Sequence, residues 1–80
     1  MKIIRMFDVF CKNSNQLVDE IVIPNLDVEV VKKLIDLKKG DINLYYQYEV
    51  KGKLKEHFEN IGYNFQTDNF DYFLSCYQDN

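Results

Sequence analysis

"FDYFLSCYQDN", Phe70–Asn80, decides how this chain folds. Read at period two, Phe70, Tyr72, Leu74 and Cys76 face one way while Asp71, Phe73, Ser75 and Tyr77 face the other. Rings on both sides suit a strand inside a sheet better than one at its edge. Such a strand needs neighbours, and the opposite end of the sequence supplies the same pattern. In residues 2–11, Ile3, Phe7, Val9 and Cys11 alternate with Ile4, Met6, Asp8 and Phe10. Both of those faces are mostly apolar, and both need partial cover. The expectation is an antiparallel sheet in which the first strand pairs with the second and with the last.

Between these ends the other elements follow in order. "KNSNQ" is dense in residues that tolerate turn geometry, and "LVDEIVIP" is the return strand of a hairpin, stopped by Pro24. Asp27 caps a helix whose buried stripe is Val28, Val31, Leu34 and Ile35, with Gly40 as its expected C-terminal stop. "INLYYQYEV" has the aromatic and β-branched content of a strand, with Ile42, Leu44, Tyr46, Tyr48 and Val50 at period two. "KLKEHFENIG" places Leu54, Phe58 and Ile61 at helical spacing ahead of Gly62. The order β-β-α-β-α-β predicts one α+β domain over residues 1–80: a three- to four-stranded, mostly antiparallel sheet with one or two short helices on one face. Two short helices cannot cover both faces, so the second face is expected to show rings and acids to water.

Composition narrows the function classes. The chain is 46% hydrophobic and 15% aromatic, too rich in buriable side chains for disorder, and its net charge of -3 lacks the basic footprint of a nucleic-acid binder. Two cysteines allow at most one disulfide, and Cys11 and Cys76 each lie in an apolar run, where reduced thiols pack as small hydrophobes. No apolar run approaches the roughly 20 residues of a membrane span. "MKIIRMFDVF" carries Arg5 and Asp8 within its apolar stretch and lacks a small-residue cleavage site, so a cytoplasmic location is expected.

No constellation points to catalysis. His57 stands alone between Glu56 and Phe58, neither cysteine has a local motif, and one His with two separated Cys does not make a zinc site. Gly40, Gly52 and Gly62 form no phosphate-cradling loop, and Asp19 and Glu20 point to opposite faces of a strand. We therefore expect no enzyme, cofactor or metal. What stands out is charge order: Lys55 is the last Lys or Arg, and Glu56, Glu59, Asp68, Asp71 and Asp79 follow among Phe58, Tyr63, Phe65, Phe70, Tyr72, Phe73 and Tyr77. Acids spaced among amphipathic rings suit a basic protein surface, the rings giving rigid contact area and the carboxylates steering and ion pairs. Nucleases present such surfaces because they must hold phosphates.

The same ending resembles that of the cloacin and colicin immunity proteins, where a Phe-Asp-Tyr-Phe-hydrophobic-Ser run leads into an aromatic-Arg-Asp-Gly close. Phe70, Asp71, Tyr72, Phe73 and Ser75 match that run, while Gln78 replaces the arginine and no terminal tryptophan follows. Phe10, Lys12 and Ser14 fit the family's Phe-Asp-Lys-X-Thr hairpin, with Cys11 for the aspartate, and "YQYEV" is similar to its aromatic-Asp-Val strand, with Glu49 for the aspartate. The resemblance implies a small bacteriocin-type or contact-dependent-inhibition immunity protein, monomeric when free. Such a protein binds the basic nuclease domain of a toxin one-to-one through the open face of a four-stranded sheet. It needs no cofactor, direct nucleic-acid contact or membrane. It also implies that Gln47, the residue before the aromatic Tyr48, helps select the partner. Combined with the charge reading, this predicts a binding strip of Tyr46, Gln47, Tyr48 and Glu49 with the sheet residues Asp8, Glu20, Asp71 and Tyr77. The rival reading is a self-associating interaction module that uses the uncovered aromatic face as a dimer interface.

Overall fold

The computed structural model describes residues 2–79, with side chains through Gln78; the Asp79 side chain and Asn80, counted above in the acidic ending, lie outside it. Its elements are β1 (Lys2–Cys11), β2 (Leu17–Val22), α1 (Val28–Lys32), β3 (Tyr48–Glu49), α2 (Gly52–Asn60) and β4 (Phe70–Asp79). The strands form one antiparallel sheet in the order β2-β1-β4-β3. The expected pairing of the first strand with both the second and the last is what the sheet contains. This is the α+β arrangement read from the sequence.

The two ring-rich strands are the central ones, and they pair along their whole length, from Lys2 opposite Asp79 to Cys11 opposite Phe70. Alternation then sorts their side chains. Phe7, Val9, Tyr72 and Leu74 point to the covered face and join Val31, Leu54 and Phe58 from the helices, together with Ile23, Leu44, Tyr48 and Val50. Phe7 is the hub: its ring meets Phe58 at 4.8 Å, Tyr63 at 5.2 Å and Phe65 at 5.3 Å, each edge-on. Full burial of a side chain that size is worth roughly 1.5–3 kcal/mol, with more from the ring geometry. The long segment between α2 and β4 is thus held by its aromatics.

Two segments depart from the sequence reading. The first helix was expected to run toward Gly40, yet α1 ends at Lys32. Asp27 caps it as foreseen, accepting from the Val30 amide at 3.2 Å. The next amides tighten instead of continuing, Lys33 N donating to Val30 O and Leu34 N to Val31 O. A helix that carries Val28, Val30 and Val31 in five residues starts with β-branched side chains that resist it. The second departure is "INLYYQYEV", of which only Tyr48–Glu49 is strand, paired with β4 and followed by a Val50 amide donating to Tyr72 O at 2.9 Å. The reason is Asp41, whose carboxylate accepts the Tyr45 amide at 2.6 Å and the Tyr46 amide at 3.1 Å. Leu44 lies in the left-handed region at φ 59°. That backbone is a turn, and a ladder cannot pass through it. Ile42 is left exposed as a result, and Ile61, expected on the buried stripe of the second helix, is exposed at its C-terminal end.

Candidate functional site: the open face of the sheet

The helices cover one face, so the opposite one consists of strand side chains alone. From β1 it takes Ile4, Met6, Asp8 and Phe10, from β4 Asp71, Phe73, Ser75 and Tyr77, from β2 Glu20 and Val22, and from β3 Glu49. The register makes Glu20, Asp8, Phe73 and Glu49 one continuous row across all four strands. Phe10 and Phe73 meet edge-on at 5.6 Å. Sequence alternation groups these side chains together on each of the two central strands.

At its centre Asp8 is only 5% exposed although no helix lies over it. Ser75 Oγ donates to Asp8 Oδ2 at 2.7 Å, and Gln47 Nε2 donates to the same oxygen at 3.2 Å and to Ser75 Oγ at 3.0 Å. Asp8 Oδ1 is buried with no hydrogen-bond partner. From the other side, Tyr77 reaches from β4 across β1 to donate to Glu20 Oε2 on β2 at 3.2 Å. Tyr77 is in register with Ile4 and Glu20 with Asp8, so the bond crosses β1 diagonally. The negative charge of Asp8 is the main reason the Tyr77 phenol is pushed above its usual range, with burial and the Glu20 bond adding to it.

Gln47 reaches the face because of a second cluster behind it. Tyr48 points into the core, 7% exposed, and its hydroxyl donates to Asp41 Oδ2 at 2.6 Å while accepting the Lys38 amide at 3.0 Å. Lys38 Nζ in turn donates to the Gln47 carbonyl at 2.9 Å. Arg5 ties down the next stretch, donating to the Leu44 and Asn43 carbonyls. Desolvation raises the Asp41 carboxyl, but the hydrogen bonds from Tyr48, Tyr45 and Tyr46 and the charge of Arg5 outweigh it and leave it below the usual carboxylate range. Burial, followed by the Asp41 bond, pushes the Tyr48 phenol up.

Cations stand at the margins of this face. Lys12 pairs with Asp71 at 3.7 Å and Lys51 with Glu49 at 3.7 Å, both near the Phe10 end. Lys2 lies on the same face at the other end, by alternation. Among the described residues neither Asp8 nor Glu20 takes part in an ion pair.

A family model described as a domain of unknown function, DUF7683, matches residues 4–75. The chain belongs to the DUF7683 family. The matched span holds Asp8, Glu20, Gln47 and Ser75, and Tyr77 lies just beyond it. Comparison of this DUF7683 domain with curated proteins and with solved structures returned no match.

Of the strip read from sequence, the fold brings Asp8, Glu20, Gln47, Glu49, Asp71 and Tyr77 onto one face and excludes Tyr46 and Tyr48. Alternation turns Tyr48 away from the face that its strand neighbour Glu49 presents, while Tyr46 is excluded by the loop that carries it. Tyr46 lies in the preceding loop near Lys38 Nζ, 5.9 Å from its ring centre, and Tyr48 is core. Ser75, which holds Asp8, was missed as a site residue, although its position between Phe73 and Tyr77 in the alternating run already placed it there. The Lys12 and Lys51 pairings carried no sequence signal.

His57 sits half-buried on α2, over the covered face, with its ring 5.3 Å from that of Phe58. Cys11 and Cys76 are both free thiols. Among the described residues no group of three or more His, Cys, Asp or Glu could hold a metal ion, and no helix is long and apolar enough to cross a membrane.

Proposed function

We propose that this chain is an immunity-type inhibitor. It binds the basic nuclease domain of a bacterial toxin one-to-one through the open face of its sheet and neutralises it in the cytoplasm. The observation that carries the reading is the centre of that face: Asp8 and Glu20 without a cation, framed by Phe10, Phe73 and Tyr77. A basic surface placed there gains ion pairs on approach and flat aromatic area on contact. Four antiparallel strands with helices on one side also agree with what the resemblance to immunity proteins implies. The inhibitor needs no cofactor, nucleic acid or membrane. Affinity capture from the source cell, with this chain as bait, tests it. A basic nuclease domain recovered at a one-to-one ratio, and silenced by added bait, is the expected result. Its absence, with only acidic proteins retained, refutes the proposal.

Self-association is the second reading, and one observation favours it: β2 is an edge strand with Leu17, Val18 and Val22 exposed at 46%, 52% and 58%. Edge strands invite pairing with a second copy. Pairing through the acidic face is opposed by like charge, so a dimer would form along β2. Sedimentation at micromolar concentration separates the readings, because the inhibitor is monomeric when free.

A further inference from the structure

We propose that Asp8 Oδ1 is a socket for one arginine side chain of a partner protein, and that the Gln47 side chain is its movable cover. The proposal rests on the open face being a partner-binding surface, and it names what that surface grips. Its two oxygens are treated unequally. Oδ2 accepts from Ser75 and Gln47, while Oδ1, itself buried, receives nothing among the described residues. A fold that wanted Asp8 only as a brace would satisfy both, because a buried carboxylate oxygen without a donor is costly. Such costs persist where a later contact removes them.

The surroundings specify the missing donor. A cationic donor suits Oδ1, since among the described residues Asp8 takes part in no ion pair and its free oxygen is an acceptor. A metal ion lacks ligands, there being no third carboxylate, His or Cys in the group. Arginine fits better than lysine for two reasons. The site is flanked by the rings of Phe73, Asp8's register partner, and Tyr77, and a planar, weakly hydrated guanidinium stacks where an ammonium does not. Glu20, in register with Asp8 on the next strand, offers a second acceptor that a five-donor fork can use at the same time. Access depends on Gln47, an exposed side chain that also borders an open groove lined by Lys38, Glu49 and Phe73. Gln47 donates to Oδ2, beside Oδ1, so swinging into that groove would open this edge of the carboxylate while the Ser75 bond stays in place.

Titration of the isotope-labelled chain with N-acetyl-arginine amide, followed by NMR, tests the socket without any partner. Saturable shifts centred on Ser75, Tyr77 and the Gln47 side-chain amide are expected, weaker for N-acetyl-lysine amide and lost in Asp8→Asn. Shifts that survive Asp8→Asn, or that spread evenly to surface acids such as Glu29 and Glu56, overturn the proposal. Gln47→Ala should fold normally and strengthen the arginine response, and an unchanged or weaker response overturns the cover. Urea unfolding of Asp8→Asn guards against a purely structural role: its midpoint should equal or exceed the wild type, and a clear fall overturns the socket. With a captured partner in hand, Asp8→Asn should weaken binding by roughly thirtyfold or more, as loss of one member of a buried charged pair does. A partner held equally well by the variant refutes the socket but spares the inhibitor reading. Failure to capture any partner removes that reading, and the arginine-amide titration still decides the socket.

Discussion

Replacing Tyr48 by phenylalanine removes one oxygen from a buried site and should expose how the loop before β3 is held. The ring stays, so core volume is unchanged, and the loss is confined to two hydrogen bonds. One is donated to the ionised Asp41 at 2.6 Å and the other accepted from the Lys38 amide at 3.0 Å. A hydrogen bond to a charged group contributes about 1.5–3 kcal/mol, and with Asp41 keeping two backbone donors the expected loss is about 2 kcal/mol. For a domain this small that is a fall of about 8–16 °C in Tm. In urea, with a slope near the low end for small proteins, the midpoint should drop by about 2 M. The pH profile adds an independent check. Asp41 is lower in the folded chain than in the unfolded one, so it stabilises above its unfolded value and that stability is lost as pH falls below about 4. Tyr48 is raised, so its contribution is full below its unfolded value and is lost as pH rises above about 10. Tyr48→Phe should therefore shrink the alkaline limb to the share of Tyr77, which is also raised, and make the acid limb shallower. Circular dichroism across pH 2–11 in urea measures both, roughly spanning the two titrations. A midpoint within about 0.3 M of wild type, with both limbs intact, would falsify the reasoning.

Further outcomes follow from other sites. Phe58→Ala should cost about 3–5 kcal/mol by leaving the Phe7 ring without its nearest neighbour, enough to leave the chain largely unfolded by far-ultraviolet circular dichroism. In a spectrophotometric alkaline titration, Asp8→Asn should bring one tyrosine, Tyr77, back toward its usual range, because the Asp8 charge is the main cause of its rise. Hydrogen bonds from the Ser14 amide, then the Ser14 hydroxyl and the Asn13 amide, lower the Cys11 thiol, so iodoacetamide should modify it faster than an unperturbed thiol at the same pH and Ser14→Ala should slow the reaction. Val22→Lys should leave a monomeric chain unchanged in sedimentation, whereas a lighter species than wild type would establish pairing along β2.

Most of the sheet was legible because β1 and β4 carry an unbroken period of two over ten residues each, and that period also gives each side chain its face. Asp8, Asp71 and Tyr77 could therefore be placed together from letters alone. In the stretch 42–50 the same alternation holds, yet only Tyr48–Glu49 forms strand. Ile42, Leu44 and Tyr46 alternate as a strand would, but the deciding residue is Asp41, whose carboxylate gathers amides from Tyr45 and Tyr46. Asp at that position is a turn former as well as a charge, and pattern counting ranks five apolar residues above one acid. Tyr48 went to the wrong side of the site through a similar conflict. Its value as a ring argued for a contact, whereas its neighbour Gln47 could reach the face only if Tyr48 turned away.

The sheet order also dictates when the molecule can exist during its synthesis. The bond from Ser75 to Asp8 joins residues 67 positions apart, and among the described residues β3 has no neighbouring strand other than β4. A nascent chain halted before Phe70 leaves the ribosome with a lone hairpin, a core short of Tyr72 and Leu74, and Asp8 facing water with nothing to hold it. Such a hairpin is marginal in water. Assembly waits for the last strand to be made, and then completes the core and the acidic face in a single closing event. Truncated translation products accordingly carry no partial version of this surface and offer proteases an open chain.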